Sequence, residues 1–433
     1  RPAAAPVSAS APAACPEDDL DPPVFVRPSA WTLLRETTDE LRDRLPHLAR
    51  DASPALRAGL EGLNGDDPLG AVNELRAAPD RVRDGFDVAA AAMLLLGMQA
   101  LGAERAHEAR SWAQRARREA PRDALADLLE AMAVDRPDAA RERARLYRRA
   151  LSLRPDEPAL ALAAARALAE AGELEEAARH AASYLAEHPE DARIASWARR
   201  VRARAELTRE HARRTDRGIT VLWPDRVLGV RRIDDLTTTI DEAMREVAGL
   251  LGEPARAELL VVVYHDVEDM RRATCAPSWS GAVFDGALHV DARTLEGPRA
   301  SRVTRHEAAH AALAMLAAPI PTWLGEGLAQ AMEGPPTAAN EAAWQRMVER
   351  GYWIPFASLE GELFSIDDAD AARLAYHQSL AMYLFLEARG GPTGPRRALS
   401  LVRARQREDV LSTVVPGADG AALLAFLRER RAR

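Results

Sequence analysis

The sequence contains no lysine: all 58 of its basic residues are arginine, set against 66 acidic ones for a formal net charge of −8. Together with the abundance of alanine, this reflects the coding bias of a GC-rich bacterial genome rather than a function. A negative balance gives no overall reason to expect nucleic acid as a partner. No apolar run reaches the roughly 18 to 20 residues that a membrane-spanning helix needs, so no transmembrane segment is expected. Cysteine is nearly absent as well. Cys15 and Cys275 are the only two; in an oxidising compartment they could pair, and two separate thiols are the alternative.

The first residue is not methionine, and residues 1–23 are rich in Ala, Pro and Ser. Such a stretch cannot bury enough apolar surface to order itself. It resembles the linker that remains after a signal peptide is removed, so an exported protein, periplasmic or secreted, is expected; an arbitrary chain boundary would look the same. Pro12-Ala13-Ala14 before Cys15 lacks the aliphatic residue of a lipoprotein cleavage site, which argues against a lipid anchor. At 433 residues the chain is too long for one ordinary core, and two or three domains are expected.

From about Phe86 to Leu207 the pattern is helix after helix, without strand-like alternation. Pro121, Pro155 and Pro189 recur at one interval of 34 residues, each followed closely by acidic residues. Gly97, Ala131 and Ala165 keep the same interval, as do Ala116, Ala150 and Tyr184. Small residues at a fixed period suit helices that approach closely, and Gly172 is placed to end the first helix of a pair. Three units spanning about 90–191 resemble tetratricopeptide repeats, which stack helical hairpins into a solenoid. Residues 1–29 are therefore expected to be a disordered tail and 30–214 a helical repeat domain.

Near residue 215 the pattern changes. Gly218–Trp223 and Glu258–His265 are β-branched and apolar, as strands are, and Ile233–Leu251 has helical spacing. Ala282–Asp291 reads as a hairpin with Asp285-Gly286 at its turn. Almost everything after Ser301 is helical. Strands first and helices after make residues 215–433 an α+β domain.

That domain contains His306-Glu307-Ala308-Ala309-His310. Residues i and i+4 share one helix face, so both imidazoles can reach one metal ion. Glu307 lies about 100° further round, where its carboxylate can act on a water without being a ligand. Composition alone would produce His-acid-x-x-His about 0.03 times in such a chain, given 10 histidines and 66 acidic residues. Catalytic zinc takes three protein ligands and keeps one position open. Downstream, Pro321-Thr-Trp-Leu-Gly-Glu-Gly-Leu-Ala329 supplies Glu326 as third ligand. Its apolar neighbours Trp323, Leu324 and Leu328 favour a ligand over a solvated carboxylate. Gly325 and Gly327 leave room for close approach, and Gln330, one turn on, is placed to orient a ligand.

HEAAH followed by WLGEGLA resembles the gluzincin metallopeptidases, and within them the bacterial peptidase MA-like domains. The resemblance covers about 215–433, and such domains often carry tetratricopeptide repeats. It implies a zincin-like catalytic domain with one catalytic Zn²⁺ on His306, His310 and Glu326, and a strand pair near 281–291 that binds substrate backbone by strand addition. Gly281-Ala-Val-Phe-Asp285 departs from the Gly-Ala-Met-Glu-Asn motif of gluzincin aminopeptidases. Phe284 stands where a glutamate would hold a free amine, which points to an endopeptidase. The mechanism implied is peptide hydrolysis with Glu307 as acid and base and with Tyr376 or His377 as donor to the oxyanion.

The expected partners are a protein or peptide substrate, and a protein partner for the repeat domain. A zincin-like domain that has lost activity and serves only as a scaffold is the competing class, against which the full motif counts. A metal-dependent hydrolase of non-peptide amides is another. His289 is expected at the surface, His265 is ambiguous, and His107, His180, His188 and His211 are expected to face solvent. The arginines from Arg141 to Arg149 are expected to form a solvated face with i,i+4 pairs.

Overall fold

A computed structural model of the chain describes residues 52–63, 65, 67–83, 86–134, 139–252, 258–276, 281–314, 316, 318–360, 369–404 and 409–431, with Glu36, Asp39, Leu41 and His47. The expected tail at 1–29 and the question of Cys15 pairing with Cys275 lie outside the described residues. The fold is mostly helical with one five-stranded mixed sheet. Two compact units divide the chain. The first ends at Ala205 and the second carries the chain from Glu206 onward, apart from 256–260.

The first unit opens with helices α1 (Pro54–Gly62) and α2 (Pro68–Ala77). A short antiparallel pair, β1 (Val82–Arg83) and β2 (Phe86–Asp87), follows. Then come α3 (Val88–Gly102), α4 (Ala106–Glu119), α5 (Ala124–Ala133), α6 (Ala140–Leu153), α7 (Pro158–Glu170), α8 (Leu174–Glu187) and α9 (Ala192–Thr208). Helices α4, α6 and α8 start 34 residues apart, and so do α5, α7 and α9.

The period has a local cause. Each recurrent proline sits in the turn three residues before a helix start, and at α5 and α9 the acid after it caps that helix, whereas Glu157 before α7 makes no side-chain cap bond. Asp123 Oδ1 accepts from Leu125 N at 2.9 Å, and Asp191 Oδ1 accepts from Ile194 N at 3.0 Å. Such caps satisfy main-chain donors that a helix start leaves over. Gly172 adopts φ +78° after α7, and Glu104, two periods earlier, adopts φ +60° after α3. Both turns close with the same bond, Glu173 N to Leu168 O and Arg105 N to Ala100 O, each at 2.8 Å.

Gly97, Ala131 and Ala165 are buried, as are Ala116 and Ala150, while Tyr184 is half-buried. Consecutive helices from α3 to α8 pack on one another. The arginines of α6 depart from the expected solvated face with i,i+4 pairs. Arg143 is buried and pairs with Glu170 of α7, Arg148 reaches Glu176 of α8 at 2.7 Å, and Arg149 reaches Asp127 of α5 at 3.0 Å. They pair between helices because closely packed small residues bring the neighbouring acids within reach.

In the second unit the sheet runs β3 (Ala212–Asp216), β4 (Ile219–Trp223), β5 (Leu259–Tyr264), β7 (Leu288–Asp291), β6 (Ala282–Phe284). β3 pairs antiparallel with β4, β5 is parallel to β7, and β6 closes the edge antiparallel to β7. Every residue of β4 and β5 is buried, as continuous Val/Ile/Leu runs demand when both faces are covered. β3 was not expected from the sequence, and the boundary drawn at 215 runs through it.

Between and after the strands lie α10 (Val230–Leu251), α11 (Val267–Thr274), α12 (Ala292–Glu296), α13 (Ala300–Ala314), α14 (Thr322–Met332), α15 (Ala338–Arg350), α16 (Ala369–Gly390), α17 (Gly394–Arg403), α18 (Val410–Val414) and α19 (Gly420–Arg431). Helix α13 packs between α10, α14 and β6, and α14 packs closely on α16. Gly327 makes that last contact possible. A Cβ there would stand 2.4 Å from Ser379 O.

Candidate metal centre

One face of α13 carries His306 and His310, and their Nε2 atoms stand 3.2 Å apart. Glu326 enters from α14, with Oε2 3.5 Å from His306 Nε2 and Oε1 3.5 Å from His310 Nε2. The three donor atoms all lie within 4.8 Å of one another. An ion held tetrahedrally at the usual zinc–ligand distance of about 2.05 Å needs donors roughly 3.3 Å apart. The donor set fits that requirement. Glu326 Oε2 is also buried without a hydrogen-bond partner among the described residues, an arrangement that is costly unless a cation shares the site.

The imidazole of His306 is oriented from behind. Its Nδ1–H donates to Glu333 Oε1 at 2.9 Å, and Arg302 donates to the other oxygen of Glu333 at 3.2 and 3.3 Å. This orients the ring so that Nε2 faces Glu326. Glu333 was missed in the sequence. It follows Glu326 by seven residues, two turns along the same helix face, and that spacing was the available signal. Gln330, expected to orient a ligand, instead donates to the main-chain oxygens of Tyr376 at 2.8 Å and Glu326 at 3.2 Å. It ties α14 to α16 rather than touching a donor side chain.

The charges are strongly perturbed. Burial works against the ionised form of Glu326, but His310 and His306 outweigh it and hold the carboxyl well below the usual carboxylate range. Burial likewise opposes a proton on His306, yet the carboxylates of Glu326 and Glu333 beside its two ring nitrogens raise its pKa well above the ordinary value. Glu307 moves the other way from Glu326. Burial pushes its carboxyl up, and the two histidines only partly offset this.

The centre opens into a cleft of about 560 Å³, within the range of ligand sites. His306, Glu307, His310, Glu326 and Glu333 line it, as do Gly281–Phe284 with strand β6. Tyr376 lines it too. Burial, with Glu326 and Glu307 nearby, pushes its phenol far above the ordinary value. His377 is not among the lining residues. Asn340 Nδ2 donates to its Nδ1 at 3.0 Å, and its carbonyl accepts from Trp344 Nε1 at 2.7 Å. Adjacent helix residues point about 100° apart, so Tyr376 and His377 cannot share one face. His377 is engaged with α15.

His289 is fully buried, not at the surface. Its Nε2–H donates to Asp285 Oδ1 at 2.9 Å, and its Nδ1 accepts from Tyr264 Oη at 2.9 Å. It fastens the β6–β7 turn to the sheet interior. His211 does not face solvent either: half-buried, it donates to Val263 O at 2.9 Å, and burial lowers its pKa. His265 is exposed. Neither a known protein family nor a curated protein matches this chain.

Proposed function

We propose that the chain is a zinc-dependent peptidase, acting as an endopeptidase, with a tetratricopeptide-like repeat domain in its first half that binds a protein partner. The observation that carries this reading is the convergence of His306, His310 and Glu326 at tetrahedral spacing, with Glu307 beside them in one cleft. The mixed sheet and following helices of the second unit are consistent with a zincin-like domain.

His306, His310 and Glu326 would hold the zinc, which when bound would supply a Lewis acid and a water of lowered pKa. Glu307 accepts a proton from the attacking water, whose oxygen forms the new bond to the carbonyl carbon. Its burial raises its proton affinity toward the working range of a general base. As the C–N bond breaks, Glu307 returns that proton to the leaving nitrogen. Tyr376, kept protonated by its raised pKa, is the donor for the developing oxyanion. Glu333 holds His306 in orientation throughout. β6, outermost in the sheet and lining the cleft, supports the substrate backbone. Its register with β7 directs the main-chain groups of Phe284 away from β7.

Elemental analysis of the wild type and His306→Ala, beside casein and peptide-library cleavage with Glu307→Gln, tests this directly. The expected result is about one zinc per chain, consistent with a single three-ligand site, lost in His306→Ala. Cleavage should fall by about 10²–10⁴-fold or more in Glu307→Gln. A wild type that takes up no zinc on reconstitution would sink the proposal.

A further inference from the structure

Gly325 precedes Glu326 in the interior of α14, and the fold gives no reason for glycine there. It is not among the residues with positive φ. A Cβ built on it would meet only Ile320 Cγ2, at 3.8 Å, an ordinary van der Waals contact. Gly327, two residues on, is the opposite case, since its Cβ would collide with the main chain of α16. Glycine inside a helix weakens the helix relative to alanine. The missing side chain at 325 is thus a cost that packing leaves unexplained.

The space it leaves opens into the cleft. Gly325 lines it with Ile320 and Thr322, and the stripe of α13 that bears the histidines continues there as Leu313 and Ala314, joined by Ala318. Leu313 and Ala314 follow His310 by three and four residues, on the same face one turn further on. None of these six residues is charged. The charged groups lining the cleft are those of the metal centre.

We infer that Gly325 is a specificity-determining residue: it keeps open an uncharged, largely apolar subsite beside Glu326 that receives a bulky apolar side chain of the bound peptide, an inference that rests on the peptidase reading. The pocket discriminates by size, because a methyl group at 325 would occupy space next to the metal centre without disturbing the helix.

The experiment compares zinc-loaded wild type and Gly325→Ala on a peptide library, with cleavage sites read by mass spectrometry. The wild type should prefer Leu or Phe at one position relative to the cut. The variant should lose about tenfold or more in kcat/KM for those peptides and change less than about twofold for Ala at that position. Binding of the same Leu and Ala peptides to Glu307→Gln, with and without Gly325→Ala, should show the same split by calorimetry without turnover. The unfolding midpoint of Gly325→Ala should rise by about 1–3 °C. An unaltered side-chain preference, or a midpoint that falls, overturns the role of Gly325 while leaving the peptidase reading standing. A wild type that cleaves no peptide removes that reading and this inference with it.

Discussion

A carboxylate that must take a proton near neutrality has to sit where its charge is unwelcome, and Glu307 does, its pKa raised first by burial. The consequence for stability follows from linkage. Unfolded glutamate titrates near 4.3. Between that value and the raised folded value the native state binds more protons, so stability falls as pH rises through this window. Above it the full penalty is present. Metal-free Glu307→Gln is therefore expected to be inactive and yet more stable than wild type at pH 7, with the difference vanishing below about pH 4. Thermal melts in chelator at the two pH values check this; a variant less stable at pH 7 would mean that Glu307 is held by favourable contacts. Glu333 acts at one remove. Glu333→Gln keeps an acceptor for His306 Nδ1–H but removes the charge, and zinc affinity should drop by about 10–100-fold in chelator competition. Unchanged affinity would show that His306 is held by packing alone.

At the scale of elements, the closeness of α14 and α16 decides whether Glu326 reaches the histidines. A methyl group at Gly327 would press on Ser379 O, a main-chain atom that cannot swing aside. Gly327→Ala should cost about 1–3 kcal/mol or more, lower the melting midpoint by roughly 3–10 °C, and weaken zinc binding as Glu326 is displaced. A melt and metal titration indistinguishable from wild type would show that the helices part at no cost. The helical faces explain how much could be read beforehand. The i,i+4 histidines follow from the helix period, the 34-residue spacing from recurrent turn prolines, and Glu326 from its apolar neighbours on one helix, so all three stand in the sequence. Partners that depend on a neighbouring element do not. β3 is Ala-Arg-Arg-Thr-Asp, with no apolar alternation, and is a strand only because β4 pairs with all five of its residues. His289 looked like a surface residue because a strand does not announce which of its faces is covered. His377 follows Tyr376 in sequence but turns to α15, which the helix period forbids sharing and the sequence alone could not orient.

At the scale of the molecule, each unit encloses its own apolar interior. Leu128, Leu129, Leu146 and Leu168 are buried in the first unit, and Val262, Val263, Leu324 and Leu386 in the second. Units with separate cores each unfold as a cooperative step, so two calorimetric transitions are expected. The three donor side chains belong wholly to the second unit. A ligand that binds only the native form adds RT ln(1 + [L]/Kd), about 4 kcal/mol at a thousandfold excess over Kd. In a unit of this size that is a rise of roughly 8–16 °C. Zinc should therefore raise one transition and leave the other in place. Chelator should reverse the shift, and His306→Ala should show it neither with zinc nor with chelator. Both transitions moving together would mean that the units melt as one, and the metal would then stabilise the whole chain. Neither moving would mean that the native site holds no zinc, and the histidine–carboxylate cluster would be an ion-pair contact between α13 and α14.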